Sequence, residues 1–224
     1  GAGTYTPAVG ATTSTFTYTI VGLDQCFDVS STATVNINPQ PVAGTNGSTT
    51  ICDSSTTPID LFSLITGEQA GGVWTRTTGT GGTFNAGAGT YTPASGATTS
   101  TFTYTLTGTA PCINSSSVAT IDITPAPTAA ISYAQPEYCV SNTSVNVIIS
   151  GTGNYTGGVY SSIPTGLSIN SATGEINPSL STPNSYSVNY EIPASGPCVS
   201  SIVSTTITIT PRPTVIITNN LPNI

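Results

Sequence analysis

Five cysteines, Cys26, Cys52, Cys112, Cys139 and Cys198, are the residues here most capable of covalent chemistry. A catalytic thiol needs a base beside it, and the chain contains no histidine. The same absence removes Ser-His-Asp hydrolysis and the commonest metal ligand. Nine acids face two arginines and no lysine, and the acids form no recognisable pair for glycoside hydrolysis. Asp24 and Asp28 flank Cys26 and could ligate Ca²⁺, yet 86 residues on their equivalents are Ala110 and Asn114, and no Asp-x-Asp-x-Asp loop occurs. Solvated loop acids are the better reading. Arg76 and Arg212 alone cannot make the basic patch that nucleic acid requires. No enzyme, no cofactor and no metal are therefore expected. Trp74 and Tyr160 each follow Gly-Gly-Val, where an exposed ring could stack on a sugar. A core aromatic packed over the sheet is the preferred reading of both.

Three of the cysteines recur at a fixed interval, which exposes the organisation of the chain. Cys26, Cys112 and Cys198 lie 86 residues apart, as do the Pro-x-Pro pairs Pro39/Pro41, Pro125/Pro127 and Pro211/Pro213. Residues 1–20 match residues 87–106 at eighteen of twenty positions. The chain thus reads as the second half of a repeat (1–41), two complete repeats (42–127 and 128–213) and the start of another (214–224), a window onto a longer array.

Within a repeat, apolar and polar residues alternate with period two: Phe102, Tyr104 and Leu106 around Thr103 and Thr105, then Ile121 and Ile123. That is the pattern of half-buried strands. In the repeat 42–127 strands are expected near 48–52, 58–62, 71–76, 82–85, 88–92, 99–106 and 117–123, separated by Gly, Pro and Asn clusters. Seven short strands with no helical periodicity predict an all-β fold of tandem Ig-like antiparallel sandwiches. Short Pro-x-Pro linkers lack the freedom of glycine linkers and would join the repeats into an extended rod. No apolar run approaches the length of a membrane helix.

One bridge per repeat is the natural pairing: Cys52 with Cys112, 60 residues apart, and Cys139 with Cys198, 59 apart. Cys26 would then have its partner upstream. Reduced, buried thiols are the alternative. A bridge implies an oxidising, extracytoplasmic setting.

The text Gly166-Leu167-Ser168-Ile169-Asn170, Thr173-Gly174-Glu175-Ile176-Asn177-Pro178 and Ser185-Tyr186-Ser187-Val188-Asn189-Tyr190 resembles the Ig-like and PKD-like repeats of bacterial surface proteins. Gly71-Gly72-Val73-Trp74 and the segment 89–112 resemble repeats of giant cell-surface adhesins of gliding Bacteroidota, of the SprB-type gliding-motility class. The resemblance implies type IX secretion, outer-membrane anchoring with partners in the motility machinery, and attachment to an external surface or polysaccharide. Such families have no catalytic residues.

The expected function is that of a stalk segment in a long surface adhesin, whose immediate partners are neighbouring repeats. Two other readings stand beside it: a carbohydrate- or surface-polymer-binding repeat, and a subunit of an extracellular filament or sheath. A Lys–Asn isopeptide staple is excluded by the lack of lysine, and trypsin has almost nowhere to cut.

Overall fold

The computed structural model describes residues 3–8 and 10–216; of the expected further repeat at 214–224, residues 217–224 lie outside this range. The fold is all-β. The strands among the described residues are β1 Ser14–Ile20, β2 Val29–Val35, β3 Gly47–Cys52, β4 Ile59–Asp60, β5 Val73–Thr78, β6 Thr83–Asn85, β7 Thr90–Thr92, β8 Ser100–Leu106, β9 Ser115–Thr124, β10 Thr128–Ser132, β11 Glu137–Cys139, β12 Ile148–Thr152, β13 Val159–Ile163, β14 Asn184–Ile192 and β15 Ser201–Thr210. Each of the seven strands expected in 42–127 is present. The one at 58–62 is cut short: Asp60 accepts a hydrogen bond from the Phe62 amide and caps a single 3-10 turn, Leu61–Ser63.

Contacts divide the chain into two compact units, one of Gly1–Thr49, Thr57–Thr92 and Thr98–Asp122, the other of Thr50–Thr56, Pro93–Ala97 and Ile123–Ile224. These are contact divisions, whereas 42–127 and 128–213 are sequence divisions; they differ at 50–56, 93–97 and 123–127, which group with the second unit, and at 1–41, which group with the first.

In the first unit the sheet order is β3-β9-β8-β5, faced by the small sheet β4-β7-β6. β8 alternates strictly, with Ser100, Phe102, Tyr104 and Leu106 buried. The rings of Phe84 and Tyr91 meet Phe102 at 4.9 and 5.0 Å between centroids, which joins the two sheets across the core. Arg76, one of only two cations, is spent on structure: its guanidinium donates to the Gly81 carbonyl and the Ser100 hydroxyl, both at 2.7 Å, and lies over the Tyr91 ring.

The same unit contains the hairpin β1–β2, whose register (Ser14 opposite Val35) matches that of β8–β9 (Ser100 opposite Ile121). Its burial is the reverse. Phe16, Tyr18 and Ile20 are 42%, 69% and 60% exposed, against 0%, 1% and 8% for their counterparts Phe102, Tyr104 and Leu106. Near-identical text is buried in one copy and open in the other because β8 has β5 and the β4-β7-β6 sheet against it. Among the described residues β1 pairs with β2 alone.

The second unit carries the sheet β11-β15-β14-β13 and the pair β10–β12 around a core of Ile131, Tyr160, Ile176, Tyr190, Ile207 and Ile209. The buried Tyr133 hydroxyl donates to the Gly174 carbonyl at 2.7 Å. In this sheet β11 runs parallel to β15, placing Glu137 opposite Thr208 and Cys139 opposite Thr210. The strand that carries this repeat's first cysteine therefore points the same way as its last strand.

Candidate functional site: the cysteine junction

Parallel pairing carries the first cysteine of a repeat to the far end of its last strand. Val140 N–H donates to the Thr210 carbonyl at 3.0 Å, and Asp53 N–H donates to the Thr124 carbonyl at the same distance. Cys139 and Cys52 thus sit in equivalent turns, each closed by an amide three residues on: Asn142 N–H to Cys139 O at 2.9 Å, Ser55 N–H to Cys52 O at 3.1 Å. The second cysteine of each repeat lies elsewhere, in the loop before the last strand. There Cys26, Cys112 and Cys198 occupy equivalent loop positions, their amides donating to the carbonyls of Leu23, Thr109 and Ser195 at 3.2, 2.9 and 3.0 Å.

The expected pairings Cys52–Cys112 and Cys139–Cys198 are accordingly not formed. The bond is Cys52–Cys198, across 146 residues with Cα atoms 4.9 Å apart, and Cys26, Cys112 and Cys139 are free thiols. Within one repeat the two cysteines flank opposite ends of a ten-residue strand such as β15, which at roughly 3.3 Å per residue is about 30 Å long. A disulfide needs Cα atoms within about 7 Å. An antiparallel cysteine-bearing strand would have brought them together, and the parallel one separates them. Cys52 instead meets the second cysteine of the following sequence repeat.

Around the bond, polar groups are paired off. Asp53, 7% exposed, accepts from Ala126 N–H at 2.8 Å and Gly96 N–H at 3.1 Å. Because Ala126 lies between Pro125 and Pro127, the Pro-x-Pro segment is held in place by this carboxylate. Ser54 Oγ lies 3.1 Å from Cys52 Sγ, and Cys198 Sγ lies 3.6 Å from the Thr124 carbonyl oxygen. At the Cys112 loop, Asn38 and Gln40 donate through their side-chain amides to Ala110 O and Ile113 O at 2.9 and 3.0 Å. The Cys139 thiol titrates below the usual range because the Ser141 hydroxyl and amide hydrogen-bond to it, with a smaller contribution from Arg212.

The aromatics singled out in the sequence are core residues. Trp74 and Tyr160 are 2% and 5% exposed and pack on the equivalent tyrosines Tyr104 and Tyr190, with centroids 5.2 and 4.5 Å apart. Tyr160 helps line an open depression of about 240 Å³, but neither residue presents a free ring face on which a sugar could stack. Burial, and secondarily the Tyr190 hydroxyl, pushes the Tyr160 phenol up. A device that sequence reasoning missed is the double hydrogen bond of Tyr104 and Tyr190. Each accepts from the second glycine of the Gly-Gly pair (Gly72, 2.8 Å; Gly158, 2.9 Å) and donates to a carbonyl three residues before that glycine (Gln69, 2.8 Å; Tyr155, 2.6 Å). The recurrence of Tyr and Gly-Gly at one offset was the available signal.

Asp28 is a turn-former: its carboxylate accepts from Gly22 N–H at 2.9 Å, as the Asn114 side chain accepts from Gly108 N–H at 3.0 Å. This explains why the two residues interchange. Among the described residues no group of three His, Cys, Asp or Glu side chains is gathered.

No protein-family model matches the chain, and no curated protein is similar to it in sequence. Among solved structures it is similar to mouse clustered PcdhgC3 EC1-3 at 12% identity, covering 90% of this chain and 79% of that one, with a TM-score of 0.45. Human CDH23 EC21-23 matches at 15% identity over 81% and 68%, with a TM-score of 0.43. Drosophila N-cadherin EC1-4 matches at 13% over 74% of this chain and about half, 48%, of that one, with a TM-score of 0.39. Scores this low attach no function to the chain. The all-β sandwich class stands on its own strands and cores.

Proposed function

We propose that this chain is a stalk segment of a long, repetitive extracellular adhesin. The observation that carries the reading is the Cys52–Cys198 bond, which joins consecutive sequence repeats covalently. Such a bond transmits tension and serves no chemistry at a ligand. The filled cores, with Trp74 and Tyr160 enclosed, support the same reading. The bond also supports an oxidising, extracellular location.

The test is single-molecule extension of the chain with and without reductant. A stalk should yield a shorter contour length while the bond is intact, since the residues between Cys52 and Cys198 are then shielded from load. Equal contour lengths would remove the mechanical role. Polysaccharide pull-down separates the carbohydrate-module reading: the stalk predicts no retention of the chain, and retention would overturn it.

The finer reading follows from the resemblance noted in the sequence: attachment during gliding, with type IX export and outer-membrane anchoring. Cells whose adhesin lacks these repeats should export the remainder yet attach poorly, whereas unchanged attachment would dismiss this role.

A further inference from the structure

The repeat register extends the observed bond to the cysteines it leaves free. We propose that Cys139 and Cys112 are opposite halves of the same staggered bridge: Cys139 bonds to the second cysteine of the repeat after its own, and Cys112 to the first cysteine of the repeat before its own. The partner is in each case a further copy of this repeat, and Cys26 stands to the copy before that as Cys112 does to its predecessor.

Three correspondences carry this inference. On the donor side, Cys139 occupies the turn of Cys52. The amide of the next residue binds the end of the last strand (Val140 to Thr210, Asp53 to Thr124, both 3.0 Å), and a serine follows two positions on in both (Ser141, Ser54). On the acceptor side, Cys112 holds the loop position of Cys198, and each amide donates to the carbonyl three residues before it. Cys112 Sγ lies 3.2 Å from Asn38 O, and Cys198 Sγ lies 3.6 Å from Thr124 O, and Asn38, Thr124 and Thr210 are one repeat position. The second cysteine of a repeat therefore docks at the end of the previous repeat's last strand, where that repeat's first cysteine is also brought. The third correspondence is exclusion, because a repeat's own two cysteines flank opposite ends of its last strand. Cys139 is half-buried beside Thr210, where the acceptor loop of a following repeat would arrive. The Ser141 hydrogen bonds favour its thiolate, the form that attacks.

The bond forms by thiol–disulfide exchange with an exchangeable protein disulfide as oxidant. The Cys139 thiolate attacks one donor sulfur and expels the other as a thiolate. The partner thiolate then attacks Cys139 Sγ and displaces the donor sulfur still bonded to it, so two protein thiols are oxidised as one donor disulfide is reduced to a dithiol, which takes up the two protons the protein thiols gave. Repeated along an array, the result is a continuous covalent ladder that crosses every repeat boundary, independent of whether the array serves as a stalk.

The test is a disulfide map of the native polypeptide, isolated from its cells with free thiols alkylated and digested with pepsin at acidic pH. The expected result is a Cys139 peptide joined to a second-position cysteine of a further repeat, and a Cys112 peptide joined to a first-position cysteine. Cys139 joined to Cys198, Cys112 joined to Cys52, or an alkyl group on Cys139 or Cys112 would overturn the proposal. In the isolated 224-residue chain the same procedure should alkylate Cys26, Cys112 and Cys139 and leave only Cys52–Cys198 linked. A Cys112–Cys139 link within that chain also counts against it. Neither map depends on shape or adhesion, so the stalk reading can fail while the ladder stands, and the reverse.

Discussion

Cys112 Sγ lies 3.2 Å from the backbone carbonyl oxygen of Asn38, 74 residues before it. Cys198 stands in the same relation to Thr124, also 74 residues back, at 3.6 Å. The environment of a repeat's second cysteine is thus built by the preceding sequence repeat rather than by its own opening strand. The repeat that sequence defines and the bond that chemistry forms are out of phase by one unit.

This phase difference is read directly by substitution. Cys52→Ser should render Cys198 newly alkylatable and leave the labelling of Cys112 and Cys139 unchanged, as measured by mass spectrometry after alkylation without reduction. Pairing within the repeat would instead expose Cys112. Because the closed loop spans 146 residues, the chain-entropy model assigns the bond about 5 kcal/mol, and guanidinium unfolding of the variant should show a loss of that order.

Cys139 should react with iodoacetamide along a pH profile whose midpoint lies below that of an ordinary thiol, about 8.5. The lowered value comes first from the Ser141 hydrogen bonds. Ser141→Ala should therefore move the midpoint upward. An unmoved midpoint would assign the shift to something else.

The paired tyrosines offer an internal control. Tyr190→Phe leaves the Gly158 N–H and the Tyr155 carbonyl without their partner. The expected loss is about 2 kcal/mol in chemical denaturation, since a buried unsatisfied group costs about 1–3 kcal/mol. Tyr18 holds the same repeat position but is 69% exposed, and Tyr18→Phe should change stability by less than about 0.5 kcal/mol. Equal effects would mean that the hydroxyl bonds do not matter.

Tyr133 gives the molecule an alkaline limit. Burial, with smaller contributions from Tyr160 and Tyr138, raises its phenol well above the ordinary value of about 10. A raised folded value means that its contribution is complete below pH 10 and declines as pH climbs above 10 toward the folded value. Denaturant midpoints should therefore fall above pH 10. Tyr133→Phe should flatten that fall while losing about 1 kcal/mol at neutral pH, as the bond to Gly174 disappears.

Much of this fold was legible because the 86-residue offset aligned text whose alternation is unambiguous. Phe102, Tyr104 and Leu106 announce a half-buried strand, and β8 buries those positions. Strand direction was not legible. A period-two pattern reads the same forwards and backwards, so nothing in Glu137–Cys139 says that it lies parallel to β15, and the cysteine pairing followed the wrong direction. The tyrosine clips were hidden for another reason: the acceptors at Gln69 and Tyr155 are backbone carbonyls, which any residue supplies. Trp74 was ambiguous because a Gly-Gly-Val approach suits a surface ring and a buried one equally.

The 146-residue span of the bond also sets an order of events in time. Cys52 is synthesised long before Cys198, and at roughly 5–20 residues per second its thiol waits on the order of ten seconds for a partner to exist. One last strand, β9, lies between the cysteines in sequence: β9 must seat Cys52, and the next repeat must shape the loop that presents Cys198. Closure of the bond is then the last event at each boundary and a record that the newer neighbour has folded. A repeat that fails to fold leaves its predecessor with an open thiol, a chemical flag one unit upstream of the fault.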